Sequence, residues 1–168
     1  MPSGSSALTV LLAPMPSGSS ALTVLLAPMH IPVGSPPVPY RHPVRIRYGE
    51  CDMQKVVFNA NYLAYIDDAT DTWMRTALGE FETTGFDFMV KKLTIEWQSA
   101  ARFGELLELE LQVTRWGTSS YDIGVIGRVG ERPVLTATVL YVSMVPGELR
   151  SQPVPPHVRA ALGTGGPG

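Results

Sequence analysis

The chain has 168 residues, enough for one domain with a packed core. Its net charge of −2 and pI near 5.9 argue against a nucleic-acid partner, and its single cysteine, Cys51, excludes an internal disulfide framework. No apolar run approaches the roughly 18 residues that span a bilayer, so neither membrane insertion nor oxidative folding is expected, and a reducing, cytoplasmic setting is predicted.

The N-terminal region opens with an internal repeat. Residues 1–14 recur unchanged as residues 15–28, and Met29 follows. Two copies of so short a segment do not make a solenoid. No Asp, Glu, Lys or Arg precedes Arg41, and 9 of the 15 prolines lie at or before Pro43, so residues 1–40 read as a flexible arm. Each copy carries a short apolar run, residues 7–13 and 21–27, but no basic flank, which argues against an export signal and for a duplication. Residues 163–168 read as a disordered tail, leaving a folded domain at 41–162.

Within that domain, Val44, Ile46 and Tyr48 alternate with Arg45 and Arg47, predicting a strand. A polar loop with Cys51 and Asp52 follows, then Val56, Val57 and Phe58, then a helix opening near Asn59 to Tyr62. Tyr62, Ile66, Ala69, Trp73 and Ala77 fall on one helical face that runs to Leu78, and Gly79 is a stop. Asp71 and Arg75 make a favourable i, i+4 pair. Alternation at Leu93, Ile95 and Trp97, at Leu107 to Val113 and at Tyr121 to Val125, with the β-branched run Val134 to Met144, predicts four more strands. Turns at 102–104, 116–118 and 130–133 suggest an antiparallel meander of those four. A short helix is expected over His157 to Leu162. The composite is an α+β domain of one long helix across about five antiparallel strands.

Familiar chemical motifs are absent: there is no nucleophile elbow, P-loop or dinucleotide-binding glycine fingerprint. His30, His42 and His157 are scattered, so no metal site is predicted. Cys51 lacks a histidine nearby in sequence and reads as a packed small residue. Asp52 stands out, because a carboxylate just ahead of a helix N-terminus sits where exposed N–H groups can stabilise an oxyanion. Taken alone, a turn or capping role explains it equally well.

Tyr48, Glu50, Asp52, Val56-Val57-Phe58, Asn59, Asn61 and Tyr62 occur in an order that resembles the hotdog-fold thioesterases, specifically the 4-hydroxybenzoyl-CoA thioesterase and YbgC-like group. The likeness continues through Tyr65-Ile66-Asp67 and Ala100-Ala101-Arg102-Phe103-Gly104-Glu105 and covers about residues 43–162. It implies a hotdog fold and cofactor-free hydrolysis of an acyl-CoA at an interface in a homodimer or homotetramer. Asp52 would act as nucleophile or general base, with the Asn59 backbone N–H as oxyanion donor. Lys55, Val56, Phe58, Asn61, Tyr62 and Asp67 would contact substrate. Asp67 occupies a helix position that is commonly acidic in the family. Lys91, Lys92 and Arg102, with Arg115, are candidates for the CoA phosphates, and Thr118, Ser119 and Ser120 for contacts from a second subunit. Phe58, Tyr62, Tyr65, Trp73, Phe86 and Phe88 are candidates to line the acyl group or to form core.

Two positions depart from the family pattern. Lys55 stands where many members have glycine, and Asn59 where many have histidine. These departures keep open a non-catalytic acyl-CoA or acyl-carrier binding module. A hotdog hydratase is a weaker third reading, since no histidine lies between His42 and His157.

Overall fold

The structure is a computed structural model that describes residues 38–163. The expected N-terminal arm, with its duplicated segment and His30, lies outside the described residues, as does the tail beyond Gly163.

Five strands form one antiparallel sheet: β1 (Tyr40–Arg45), β2 (Asp87–Trp97), β3 (Leu106–Trp116), β4 (Ser120–Val129) and β5 (Arg132–Met144). The helix α1 (Asn59–Leu78) lies between β1 and β2 in sequence, and α2 (Pro156–Leu162) follows β5. At 20 residues, α1 is about 30 Å long. Its buried side chains, Tyr62, Tyr65, Ile66, Ala69, Thr70, Trp73 and Met74, form the expected stripe widened by one neighbouring row. They meet the alternate side chains Leu107, Leu109, Leu111 and Val113 of β3, Tyr121, Ile123 and Val125 of β4, and Val139 and Tyr141 of β5 in one core. Gly79 ends α1 at φ +69°, and its N–H donates to the Arg75 carbonyl.

The sheet order is β1-β3-β4-β5-β2, which corrects the expected four-strand meander. Only β3, β4 and β5 are sequential neighbours. β2 pairs instead with β5 at the far edge, and β3 takes β1 as its other neighbour. The turn at Arg102 is present, with Glu105 N–H donating to the Arg102 carbonyl at 3.1 Å. It ends an eight-residue connection (98–105) between β2 and β3 rather than a hairpin. At about 3.3 Å per residue, that length is ample to cross three strand spacings of about 4.8 Å. Gln98 and Ser99 remain bonded to the Val134 carbonyl on the β5 side, and Ile46 bonds Glu105 on the β1 side.

The first strand is also displaced from expectation. It begins at Tyr40 and ends at Arg45, while Tyr48–Glu50 winds into a 3₁₀ turn. The Glu50 carboxylate accepts the Arg47 N–H at 2.7 Å and pairs with its guanidinium at 3.0 Å, bending the chain out of the sheet. Ile46 stays buried, whereas Tyr48 turns outward and is exposed.

On β4, a Cβ built at Gly127 would lie 2.9 Å from Leu135 Cγ and 3.2 Å from Leu109 Cδ2, both on buried side chains. Gly127→Ala is therefore expected to destabilise the domain by about 1–3 kcal/mol through overpacking. Urea unfolding of the variant against wild type checks this, and an unchanged midpoint would refute it.

Candidate active site

The chain between β1 and α1 folds back on itself. Phe58 N–H donates to the Glu50 carbonyl at 3.0 Å, Cys51 bridges Val57, and Asp52 N–H donates to the Val56 carbonyl at 2.8 Å. The result is a small hairpin-like loop, 50–58, with Met53, Gln54 and Lys55 at its tip. Asp52 sits at the base of that tip. Its Oδ1 accepts the Gln54 N–H at 2.8 Å, a side-chain turn typical of aspartate. Among the described residues its second oxygen has no partner.

Lys55 closes the tip with φ +64°, the only non-glycine residue at positive φ among those described, and its N–H donates to the Asp52 carbonyl at 2.9 Å. The left-handed conformation that glycine adopts freely is thus kept by a lysine, at a cost of about 1–2 kcal/mol.

Two neighbouring segments brace the loop. Val57 N–H donates to the Ala101 carbonyl at 2.9 Å, and Val56 bridges Arg102. On the α1 side, Asn61 Nδ2 donates to the Glu50 carbonyl at 2.7 Å. Tyr62 is almost fully buried, and its hydroxyl accepts the Ala101 N–H at 2.9 Å. Burial alone would raise the Glu50 pKa, but the Arg47 N–H, the nearby Tyr65 hydroxyl and the Arg47 guanidinium outweigh it and hold the carboxyl below its usual range. The Tyr65 hydroxyl, buried and without a partner of good hydrogen-bond geometry, is pushed up by burial and then by Glu50.

A cavity of about 570 Å³ opens beside the loop, lined by Tyr48, Gly49, Cys51, Asp52, Met53, Lys55, Arg102 and Phe103. Tyr48 and Phe103 meet edge-on at 5.9 Å between ring centroids. Tyr48, Met53 and Phe103 are all exposed there. Lys55 and Arg102 make no side-chain hydrogen bond or ion pair among the described residues. At the start of α1, Phe58 is the N-cap and provides no side-chain cap, and the Asn59 and Ala60 N–H groups have no intramolecular acceptor among the described residues.

The sequence candidates therefore separate. Asp52, Lys55 and Arg102 share one cavity, with Val56 paired behind it and Phe58 and Asn59 exposed at the helix start. The Asn61 carboxamide donates to the Glu50 carbonyl and the Tyr62 hydroxyl accepts from Ala101, so both side chains also hold the loop and its surroundings together. Asp67 lines a different, mainly apolar cavity of about 330 Å³ with Leu63, Val90, Leu93 and Tyr141. Burial pushes Tyr141 up to about 12 against a lowering by the Thr70 hydroxyl, and Asp67 adds to the rise.

Lys92 is in a third place, a groove on the sheet face opposite α1, with Arg115 and Asp122, and Arg115 is bonded to Asp122 at 2.8 Å. Lys91 is exposed at a register shift in β2. Neither lysine joins Arg102. Backbone groups of Thr118 and Ser119 accept from Val154 and Ser143, tying the C-terminal segment and β5 to the β3–β4 turn. His42 pairs with Asp68 and His157 with Thr84. Of the acyl candidates, Tyr62, Tyr65, Trp73 and Phe86 are buried core, Phe88 is half-buried against that core, and only Phe58 is exposed.

Sequence reasoning missed Tyr48, Gly49, Met53 and Phe103 as cavity walls. The adjacent pair Arg102 and Phe103, in a turn that must face some neighbour, was the available signal.

Comparison with known proteins agrees with this architecture. The model of the thioesterase-like superfamily matches residues 46–162. The acyl-CoA thioester hydrolase YbgC of Escherichia coli O6:H1 is 27% identical over 125 residues, covering 72% of this chain and 93% of that protein. The acyl-CoA thioesterase YbgC of Haemophilus influenzae is 32% identical over 79 residues, 45% of this chain and 58% of that protein. A thioesterase-superfamily structure from Jannaschia sp. superposes with TM-score 0.70 at 23% identity over 76% of this chain and 95% of its own. Slr0204, a 1,4-dihydroxy-2-naphthoyl-CoA thioesterase from Synechocystis, does so with TM-score 0.64 at 17% identity, covering 73% and 94%.

The domain is thus a hotdog fold of the thioesterase kind. The chain belongs to the thioesterase-like superfamily and is an enzyme of the thioester-hydrolase class.

Because Lys55 carries a conformation suited to glycine, Lys55→Gly is expected to leave the loop in place and change stability by no more than about 1 kcal/mol, relief of strain offsetting added chain entropy. Lys55→Val, β-branched at positive φ, is expected to lose at least about 1 kcal/mol. Chemical denaturation of both checks the order, which a less stable glycine variant would reverse.

Proposed function

We propose that the enzyme hydrolyses an acyl-CoA thioester to the free acid and CoA in the cavity beside Asp52. The observation that carries this is Asp52 itself, a carboxylate that lines a cavity of about 570 Å³ with one oxygen fixed and the other without a partner among the described residues, on a loop that feeds directly into an uncapped helix. The free oxygen of Asp52 attacks the thioester carbonyl or draws a proton from an attacking water. The Asn59 N–H, with the positive end of the α1 dipole behind it, receives the developing oxyanion. A donor of this kind is worth about 3–4 kcal/mol of barrier. Because the donor is a backbone group, the asparagine side chain does not alter it. Lys55 and Arg102 supply positive charge for the anionic CoA portion, while Tyr48, Met53 and Phe103 offer apolar surface.

The names of the YbgC relatives support the CoA ester as substrate class, and a cytoplasmic location suits such a substrate. The binding-only reading drew on Lys55 and Asn59 as departures, and of these the left-handed φ of Lys55 keeps the glycine-like path of the loop.

The sheet edge supports a homodimer or homotetramer as the working form. Among the described residues β2 has a neighbour on one side only, and Met89, Val90 and Trp97 are exposed along it, so a second copy would cover both the edge and the apolar side chains. A monomeric mass by light scattering would refute this.

Asp52→Ala is expected to lower kcat/KM on the best acyl-CoA substrate by about 10²–10⁴-fold with an unchanged circular dichroism spectrum. Turnover within a few fold of wild type would overturn the mechanism. Single turnover in ¹⁸O-labelled water separates the two chemistries, since label appears in Asp52 only if it forms an acyl anhydride.

A further inference from the structure

Asn61 was expected at the substrate, yet its carboxamide points to the protein. Half-buried, it donates through Nδ2 to the Glu50 carbonyl at 2.7 Å, while its backbone N–H donates to the Phe58 carbonyl at 2.9 Å. The same Glu50 carbonyl receives the Phe58 N–H at 3.0 Å. Glu50 is two residues before Asp52, and Phe58 is the residue before Asn59. One side chain in the first turn of α1 thus reaches back to the closed end of the loop that carries the carboxylate.

The other brace of this loop, through Val57 and Ala101, fixes it to the 98–105 connection, which reaches α1 in turn through the Tyr62 hydroxyl. At the closed end of the loop, Asn61 is the side-chain tie between it and α1. The Glu50 side chain turns to Arg47, which holds both of its oxygens, and the Tyr65 hydroxyl of α1 lies near it without a hydrogen bond of good geometry.

We propose that Asn61 is the positioning residue of this site, setting the direction of Asp52 relative to the open N–H groups of Asn59 and Ala60 without touching substrate. This rests on the thioesterase reading above for its kinetic consequence, but the tie itself does not. Reaction requires attacking atom and oxyanion donor to be placed together, and a displacement of about 1 Å costs about 100-fold in rate. Loss of the tie therefore acts on turnover more than on binding. The cavity walls Arg102 and Phe103, on the 98–105 connection, do not depend on it.

The test compares Asn61→Ala, Asn61→Asp and Asn61→Gln. Aspartate keeps the size but loses the donor, and glutamine keeps the donor. Loss of placement predicts kcat lower by about 10–100-fold in the alanine and aspartate variants, KM within about threefold, and partial recovery of kcat with glutamine. Amide hydrogen exchange read on the same proteins should quicken at Asp52, Val57 and Phe58 while residues 66–78 of α1 keep their protection. Wild-type kcat in the aspartate variant, or exchange at those three amides unchanged, overturns the proposal. So does equal loss of global stability in all three variants, which would make Asn61 a folding residue only. If wild type hydrolyses no acyl-CoA, the functional reading fails separately and the exchange pattern alone decides whether Asn61 holds the loop.

Discussion

The Ala101 peptide is bonded on both sides, its carbonyl taking the Val57 N–H and its own N–H passing to the Tyr62 hydroxyl, inside a region where Ala101, Val57 and Tyr62 are all nearly inaccessible to solvent. Three segments distant in sequence meet at that one residue: the Asp52 loop, the first turn of α1 and the connection that crosses from β2 to β3. A buried peptide group that lost either partner would leave an unpaired donor or acceptor costing about 1–3 kcal/mol. The connection is therefore fixed where it passes the loop, and with it the positions of Arg102 and Phe103 on the cavity wall. Arg132 reinforces the same turn by donating to Ala100 O, to Ser99 Oγ at 3.0 Å and to Glu105 at 2.6 Å, and Glu105 in turn accepts the Arg102 N–H at 2.9 Å. Tyr62 is consequently a member of the scaffold although it lies three residues from the proposed oxyanion donor.

That scaffold explains how the chain sustains a strained loop tip. Lys55 at φ +64° is unfavourable in isolation, but the hairpin pairs at Glu50–Phe58, Cys51–Val57 and Asp52–Val56 leave three residues to reverse the chain. A reversal that short needs a left-handed residue, whichever side chain occupies it. Strain is local and the bonds that impose it are distributed, which is the usual arrangement at functional loops.

The extent to which this was readable from sequence follows from what each pattern encodes. The spacing of Tyr62, Ile66, Ala69, Trp73 and Ala77 encodes a helix and its buried side, and alternation at Leu107 to Val113 encodes a strand and its buried side, so both were recovered. Alternation does not encode which strand lies alongside. β2 and β3 are consecutive and joined through a recognisable turn, yet they end on different neighbours because eight residues suffice to cross the sheet. The same limit applies to the site. Asp52 and the helix start were legible because they lie close in sequence. Lys92 and Arg102 looked equivalent as cations near strand ends, but the register of β2 puts Lys92 on the far face with Asp122, whereas Arg102 pairs with Val56. Tyr48 continued the alternation of β1 in sequence, but the Arg47–Glu50 contact and the 3₁₀ backbone bonds beside it turn it out of the strand.

Two aspartates were candidates for the same task, and their surroundings differ in a way that bears on it. Asp67 stands exposed on α1 beside Leu63, Val90 and Leu93, with no hydrogen-bond partner among the described residues, so nothing restricts the direction of its oxygens. Asp52 lines the larger cavity with Oδ1 held by the Gln54 N–H and its backbone held on both sides by Val56 and Lys55, which restricts the direction of the remaining oxygen. Attack on a carbonyl, or removal of a proton from water aimed at one, rewards a fixed angle more than raw exposure. Asp67 and Asp52 also line separate cavities of the single chain. The case for Asp52 thus rests on constraint: of the two carboxylates, it is the one whose geometry the rest of the fold is organised to hold.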